Sequence, residues 1–182
     1  LGVREKTVLE LNSLGDTESR VAYRDKLVDY FKGNLDKLSR DSQDRLGRNP
    51  LRILDSKDEG DRGIIENAPM IAESFNDHSR YFFEAVKEGL DVAGISYTLN
   101  PRLVRGLDYY CHTAFEFTTT ELGSQGAVVA GGRYDGLIKQ MGGPQTPGVG
   151  WASGVERLAM MIDAPKWRAR PVVIVPLGEE AQ

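Results

Sequence analysis

Residues 113–137, TAFEFTTTELGSQGAVVAGGRYDGL, contain two strand-like runs separated by a glycine-bearing turn. The first run, TAFEFTTT, and the second, AVVAGGRYDGL, are rich in aromatic, β-branched and small residues, as sheet strands are. ISYTLN (95–100) precedes these two runs, and GVGWASGVERL (148–158) follows them, passing from strand into helix. The stretch from 94 to 164 therefore predicts a mostly antiparallel sheet that ends in a helix.

The segment before this sheet has a different texture. KTVLELN (6–12) reads as one strand and is followed by Asp16 or Thr17, either of which can cap a helix. Four apolar residues then recur at helical spacing, and a second helix is predicted to begin near Ala68–Pro69 and to end around Gly89. The first stripe is Tyr23, Leu27, Tyr30 and Phe31, and the second is Ile71, Phe75, Phe82 and Val86. We expect an α+β fold in which residues 1–15 supply a strand and residues 16–93 form an inserted helical block.

Composition excludes several classes of protein. The 182 residues are 40% hydrophobic and 27% charged, and the formal net charge is −4, so the whole protein has no positive field that would hold nucleic acid non-specifically. A single cysteine, Cys111, excludes an internal disulfide and a multi-cysteine metal site. The sequence has neither an apolar run of about 20 residues nor the apolar core of a secretion signal. We expect a soluble, cytoplasmic protein.

The loop LVRGLDYY (103–110) combines Arg105, Gly106 and the phenols of Tyr109 and Tyr110. A guanidinium offers a rigid fork of donors that can grip a carboxylate or a phosphate at two points, and a glycine lets a ligand come close. An arbitrary arginine–glycine pair is nevertheless more often a surface turn than a site. The loop alone does not distinguish the two interpretations.

Two later stretches are also rich in glycine. In AGGRYDGL (130–137), Gly131–Gly132 precede Arg133, Tyr134 and Asp135, which is typical of a tight turn or of a turn beneath a ligand. Alone, this stretch favours the structural turn, and no phosphate-loop lysine follows it.

In GVGWASGVERL, small residues at every second position leave one strand face almost bare, which predicts a floor for a planar base. These residues are Gly148, Gly150, Ala152 and Gly154. Arg157 then projects from the first turn of the following helix, near the helix end that favours phosphates, and Val155, Leu158 and Ile162 are expected to face inward. The dinucleotide fingerprint fails because Ser153 stands where a glycine is required.

Taken together, RGLDYY (105–110), AGGRYDGL and GVGWASGVERL resemble the two histidine-site signatures and the third class II motif of the histidyl-tRNA synthetase family. LELNSLG (9–15), NPLRILDSK (49–57) and GSQGAVVAGG (123–132) are similar to its bacterial form, so the resemblance covers essentially the whole chain. It implies a class II aminoacyl-tRNA synthetase that uses ATP, with magnesium, to activate histidine and then charges tRNA(His). The full-length parent of this chain is expected to be a cytoplasmic homodimer.

The resemblance also implies a role for individual residues. Arg105 matches the catalytic arginine, which contacts the α-phosphate and the histidine carboxylate. Tyr109, Tyr110 and Tyr134 match tyrosines that line the histidine pocket. Arg157 matches the arginine that clamps the ATP triphosphate, and Gly150 and Gly154 of the same motif complete the expected ATP site. No metal-ligating residue is predicted.

The match to the family is incomplete at both ends. The first two class II motifs are expected to precede the strand at 6–12, while residues 165–182 resemble a linker, KWRARP, and the first strand of an anticodon-binding domain. We expect a fragment that cannot complete aminoacylation alone. His78 and His112 are expected to be structural or exposed, and strand alternation is expected to send Cys111 and His112 to opposite faces.

Two interpretations from other classes of protein compete with the synthetase. One is the synthetase-like regulatory subunit of ATP phosphoribosyltransferase, and the other is a synthetase-like RNA-sensing module attached to a kinase. The intact RGLDYY and GGRYDGL motifs argue against the regulator, and the bacterial flanking segments argue against the kinase module. The family's helical block contacts tRNA, but the block's balanced charge is equally typical of a solvated face. Its candidate cations for such contacts are Arg20, Arg24, Arg40 and Arg45.

Overall fold

A computed structural model of the chain describes residues 2–104, 109–123 and 126–163. Its centre is a five-stranded sheet with the spatial order β2-β1-β3-β4-β5. The strands are β1 Val8–Ser13, β2 Thr98–Leu99, β3 Cys111–Thr118, β4 Ala127–Tyr134 and β5 Gly148–Ser153. Only the β1–β2 pair is parallel, and the other three pairs are antiparallel. The predicted α+β class with a mostly antiparallel sheet is confirmed.

Between β1 and β2 the chain is helical. The α-helices there are α1 Thr17–Lys32, α2 Arg40–Arg48, α3 Glu59–Glu66 and α4 Asp77–Val92, and α5 Leu137–Gln140 and α6 Val155–Met161 follow among the later strands. Short 3-10 helices occupy Arg4–Lys6, Leu35–Lys37, Pro50–Asp55 and Ile71–Ser74. Within the described residues, no helix is long and apolar enough to span a bilayer.

The helical segment has an apolar core of its own. The predicted stripe of α1 is confirmed, since Tyr23, Leu27 and Phe31 are buried and Tyr30 is packed against them. The other buried members of this core are Leu38, Ile53, Leu54, Ile64, Ala68, Ile71 and Phe75. The residue spacing thus located the buried face of α1 correctly, and Asp16 caps this helix by accepting a hydrogen bond from the Ser19 amide.

Two expectations about helices were wrong. The second long helix begins at Asp77, not near residue 69, because Phe75 has extended backbone angles and the Asn76 side chain caps the Ser79 amide. Ile71 and Phe75 are buried, but they precede this helix. In α6, Val155 is 70% exposed and Met161 is the buried residue, so the expected inward position of Val155 is also incorrect.

The N-termini of α1 and α4 meet beside the sheet. The Asn76 amide group donates to the Asp16 carboxylate, and the hydroxyls of Ser19 and Ser79 lie 3.1 Å apart. Burial alone would raise the pKa of Asp16, but hydrogen bonds from the Ser19 amide and from neighbouring side chains outweigh it and lower the pKa to about 2. Asp16 is therefore an ionised tie between two helices that are 60 residues apart in sequence.

A second carboxylate, this one fully buried, holds another part of the helical segment together. Asp61 is fully buried and accepts hydrogen bonds from the Ser39 amide and from the hydroxyls of Ser39, Ser42 and Ser56. Desolvation opposes its ionisation, but these four donors prevail and lower the pKa of Asp61 from 3.8 to about 2. One carboxylate thus joins α3 to the start of α2 and to the loop before α3.

We expect Asp61→Asn to lower the free energy of unfolding by about 1–3 kcal/mol at neutral pH, because an amide offers one acceptor to a site built of donors. The folded-state pKa lies below the unfolded one, so this stabilisation is present above about pH 4 and is lost as the pH falls toward 2. Urea unfolding across this range should show the difference between the variant and the unsubstituted protein shrinking with acidity. Asp25→Asn, on the exposed face of α1, should change stability by less than about 0.5 kcal/mol. Equal losses in both variants would contradict this role of Asp61.

Candidate functional site

Three tyrosines that are separate in sequence meet at one end of the sheet. The ring centroids of Tyr109 and Tyr110 are 4.5 Å apart, and those of Tyr109 and Tyr134 are 5.7 Å apart, edge to face. The Tyr110 and Tyr134 centroids are 6.3 Å apart. Tyr110 is buried, whereas Tyr109 and Tyr134 are half-buried. The structure therefore brings the three tyrosines predicted to line a pocket into one aromatic cluster.

Glycines make room for these rings. A Cβ atom at Gly132 would lie 2.9 Å from Cδ1 of Tyr110 and 2.5 Å from the backbone oxygen of Thr113. At Gly148 a Cβ would lie 2.4 Å from Cε2 of Tyr134, and at Gly150 it would lie 3.1 Å from the Tyr134 hydroxyl. The predicted bare strand face thus exists, but Tyr134 packs over Gly148 and Gly150, so a planar base does not have an open floor at this end.

The same sheet face carries two carboxylates that the sequence analysis did not single out. Tyr134 and Gly132 share their face with Ala130, which pairs with Glu116, and Glu116 pairs in turn with Glu10. The Glu10 carboxylate accepts hydrogen bonds from the side chains of Asn100 and Thr118. Like charges on directly paired residues repel, so this part of the face favours a positively charged group between or above them. The period-two alternation in TAFEFTTT was the available signal for Glu116.

Arg133 lies on the opposite face from Tyr134. Its guanidinium stands 4.8 Å from the ring centroid of Phe82 on α4, and its Nε donates to both carboxylate oxygens of Asp135. Arg133 therefore links β4 to α4, while the neighbouring Tyr134 belongs to the aromatic cluster.

Arg157, predicted to hold phosphates, is half-buried in the first turn of α6. One of its guanidinium nitrogens, Nη1, donates to the backbone carbonyl of Ala127 at the start of β4. Gly154 lies directly beneath the Arg157 side chain, since a Cβ there would be 3.2 Å from Cδ of Arg157. The small residue at 154 thus lets the arginine fold back toward the sheet.

Arg105 lies outside the described residues, as do Gly106 and the segment 165–182. The proximity of Arg105 and Arg157 expected from the motifs therefore stays a prediction. Of the four cations considered for tRNA, two have intramolecular partners. The Arg20 guanidinium donates to the Tyr110 carbonyl, and Arg45 donates to the Arg52 carbonyl and pairs with Asp41.

Cys111 and His112 do not have the features of a nucleophile and its base. Burial, reinforced by the nearby Asp135 carboxylate, raises the pKa of the Cys111 thiol, so the unreactive thiol form dominates at neutral pH. His112 is buried against the Phe82 ring at 4.4 Å, and desolvation together with Arg133 lowers its pKa. The backbone φ of His112 is 48°, so the strand alternation expected at this residue is interrupted.

Comparison with solved structures places the fold of the chain among those of the aminoacyl-tRNA synthetases. The apo histidyl-tRNA synthetase of S. aureus superposes with a TM-score of 0.67 and 38% sequence identity, over 86% of this chain and 38% of that structure. A family model described as histidyl-tRNA synthetase matches residues 32–158, which is more than half of the chain. The chain belongs to the histidyl-tRNA synthetase family.

Curated relatives in bacteria are named histidine–tRNA ligase. The chain is 61% identical to that of Rhodospirillum rubrum over 181 residues and 54% identical to that of Gluconacetobacter diazotrophicus over 181 residues. These alignments cover 99% and 100% of the chain but only 44% of each relative. The chain therefore spans less than half the length of the relatives it matches.

We expect Gly132→Ala to destabilise the fold by about 1–3 kcal/mol, because the added methyl group meets a backbone oxygen that cannot move away without shifting β3. Urea unfolding measures the loss, and near-ultraviolet circular dichroism should report the disturbed tyrosines. Gly63→Ala on α3 is the control, since it meets no atom within 4 Å and should be neutral or stabilising. Equal stability of the two variants would show that Gly132 is not required by close packing.

Proposed function

We propose that this chain supplies the amino acid pocket and part of the ATP site of an enzyme that activates histidine with ATP and transfers it to tRNA(His). The observation that carries the proposal is the meeting of Tyr109, Tyr110 and Tyr134 on a glycine-bearing face that also holds Glu10 and Glu116. Phenol rings and hydroxyls suit a small polar aromatic ring, and the carboxylates suit an ammonium group. Family membership supports histidine as the amino acid.

The nucleotide is assigned to the other end of this face. Arg157 lies beside the start of β4, and with Gly154 it is proposed to receive the triphosphate of ATP. Gly150, also expected in the ATP site, instead lies beneath the Tyr134 hydroxyl, at the end proposed for the amino acid. Arg105 is proposed to neutralise charge on the α-phosphate while the histidine carboxylate attacks it. In such a transfer the protein contributes by positioning the reactants and by stabilising charge, and pyrophosphate leaves as the histidyl-adenylate forms.

Magnesium fits this site as a companion of the nucleotide. Among the residues described, no group of three or more His, Cys, Asp and Glu side chains could hold a metal ion. Magnesium ordinarily needs only one or two carboxylates when phosphate oxygens and water complete its shell. The ion is therefore proposed to enter bound to ATP, with phosphate oxygens and water as its main ligands. The proposal also includes a cytoplasmic location and a homodimeric full-length protein.

A full-length test uses the Rhodospirillum rubrum ligase with its aligned 181 residues replaced by this chain. We expect this chimera to exchange pyrophosphate into ATP only when histidine is present. Arg105→Ala should slow the exchange by about 10²–10³-fold, the loss expected for removing one well-placed charge-stabilising donor. Arg62→Ala, on an exposed face of α3, should leave the rate unchanged. Exchange without histidine would contradict the amino acid assignment, and full activity of Arg105→Ala would remove that residue from the mechanism.

A second variant separates the ATP site from the histidine pocket. In the same chimera, Arg157→Ala should raise KM for ATP by about 10-fold or more, because a charged phosphate contact is lost, and should leave KM for histidine within about twofold. Glu156→Ala, its exposed neighbour on α6, is the matched control. A change confined to the KM for histidine would contradict the assignment of Arg157 to the ATP site.

A further inference from the structure

A contact crosses from the helical segment to the tyrosine cluster. Arg20 lies in the first turn of α1, and its Nη1 donates a hydrogen bond of 2.8 Å to the backbone carbonyl of Tyr110, 90 residues later in the chain. From this contact we infer that Arg20 is a positioning residue for the amino acid pocket, which it serves by fixing the backbone of Tyr110. The inference rests on the proposed function, because it assigns Arg20 to the pocket of that same enzyme.

The backbone around Tyr110 needs such a tie because the sheet does not hold it continuously. The β3–β4 register shifts between Cys111 and Ala114. His112 has a backbone φ of 48°, a value that residues other than glycine rarely adopt. Hydrogen bonds from the turn between β1 and α1 take the place of the missing β3–β4 hydrogen bonds. The Leu14 amide donates to the His112 carbonyl, and the His112 amide donates to the Gly15 carbonyl. Arg20 adds a third hydrogen bond from the same turn region.

Arg20 projects from a helix end that is held to α4, and α4 contacts the sheet through Phe82. The start of α1 is fastened to α4 by the Asp16–Asn76 hydrogen bond and by the paired Ser19 and Ser79 hydroxyls. The Asp16 amide also donates to the Ser79 hydroxyl at 3.0 Å. The guanidinium therefore reaches the Tyr110 carbonyl from an anchored helix end, so this hydrogen bond can fix the position of the Tyr110 backbone.

Movement of the Tyr110 backbone would reach the pocket directly. The Tyr110 ring packs against the Gly132 backbone and against the Tyr109 ring, which in turn contacts Tyr134. These three rings line the region assigned to the histidine side chain. Arg157 lies by Ala127, at the opposite end of β4 from Tyr134. Loss of the Arg20 contact should therefore affect histidine recognition much more than ATP recognition.

The kinetic test uses the Rhodospirillum rubrum chimera with Arg20→Met, which keeps an unbranched side chain and removes the donors. We expect KM for histidine to rise by about 10-fold, as for the loss of one charged hydrogen bond, with KM for ATP within about twofold. Arg20→Lys retains a cationic donor and should recover part of the loss. Lys32→Met, in the last turn of the same helix and exposed, is the matched control and should leave both constants unchanged.

Amide hydrogen exchange gives a readout that does not depend on activity. Peptides covering residues 110–114 should exchange faster in Arg20→Met than in Lys32→Met, while peptides from α2 and α3 should not differ. Unchanged exchange at 110–114, or equal increases in both KM values, would overturn the positioning role. An inactive unsubstituted chimera would instead contradict the proposed function, and the exchange result alone would then decide whether Arg20 fixes Tyr110.

Discussion

The arrangement of the site depends on a steric constraint: two tyrosine rings pack directly against backbone that carries no side chain. Tyr110 lies on Gly132 and Tyr134 on Gly148, at distances where a single added carbon would overlap the ring. Because β4 and β5 pair in register from Val129 to Tyr134, the ring and the glycine beneath it are fixed to each other by the sheet ladder. The glycines thus serve here as packing surfaces, and the freedom of their backbone angles matters less.

The helical segment also contributes to the position of the tyrosines. The tyrosine pair precedes a stretch in which the β3–β4 ladder is irregular, so its backbone cannot be held by the sheet alone. The β1–α1 turn and Arg20 provide the missing hydrogen bonds. Asp16 joins that turn to α4, and its lowered pKa keeps the carboxylate ionised at acidities that would protonate an ordinary aspartate. The position of the aromatic cluster therefore depends on the fold of the helices as well as on that of the sheet.

Local patterns predicted the parts of this structure that are decided locally. Hydrophobic spacing gave the buried face of α1, and aromatic and small-residue alternation gave β3, β4 and β5. The start of α4 was missed because Ile71 and Phe75 share its apolar spacing while a side-chain cap at Asn76 interrupts the helix. The motifs also led to the three tyrosines, but their meeting depends on pairing between strands that are separated by turns. Spacing along the sequence does not contain that register.

The charged residues show most clearly where sequence reasoning ends. Arg20 and Arg45 looked equally suited to a solvated face or to nucleic acid, and both instead donate to backbone carbonyls inside the chain. Glu10 and Glu116 were not singled out from the sequence, yet the β1–β3 register places them side by side on the face that carries the tyrosines. A guanidinium or carboxylate has the same chemistry in either setting, and only long-range pairing decides which group it faces. The roles of the charged residues in this site therefore depend on the topology of the chain, whereas the roles of glycine and tyrosine are partly evident from the sequence.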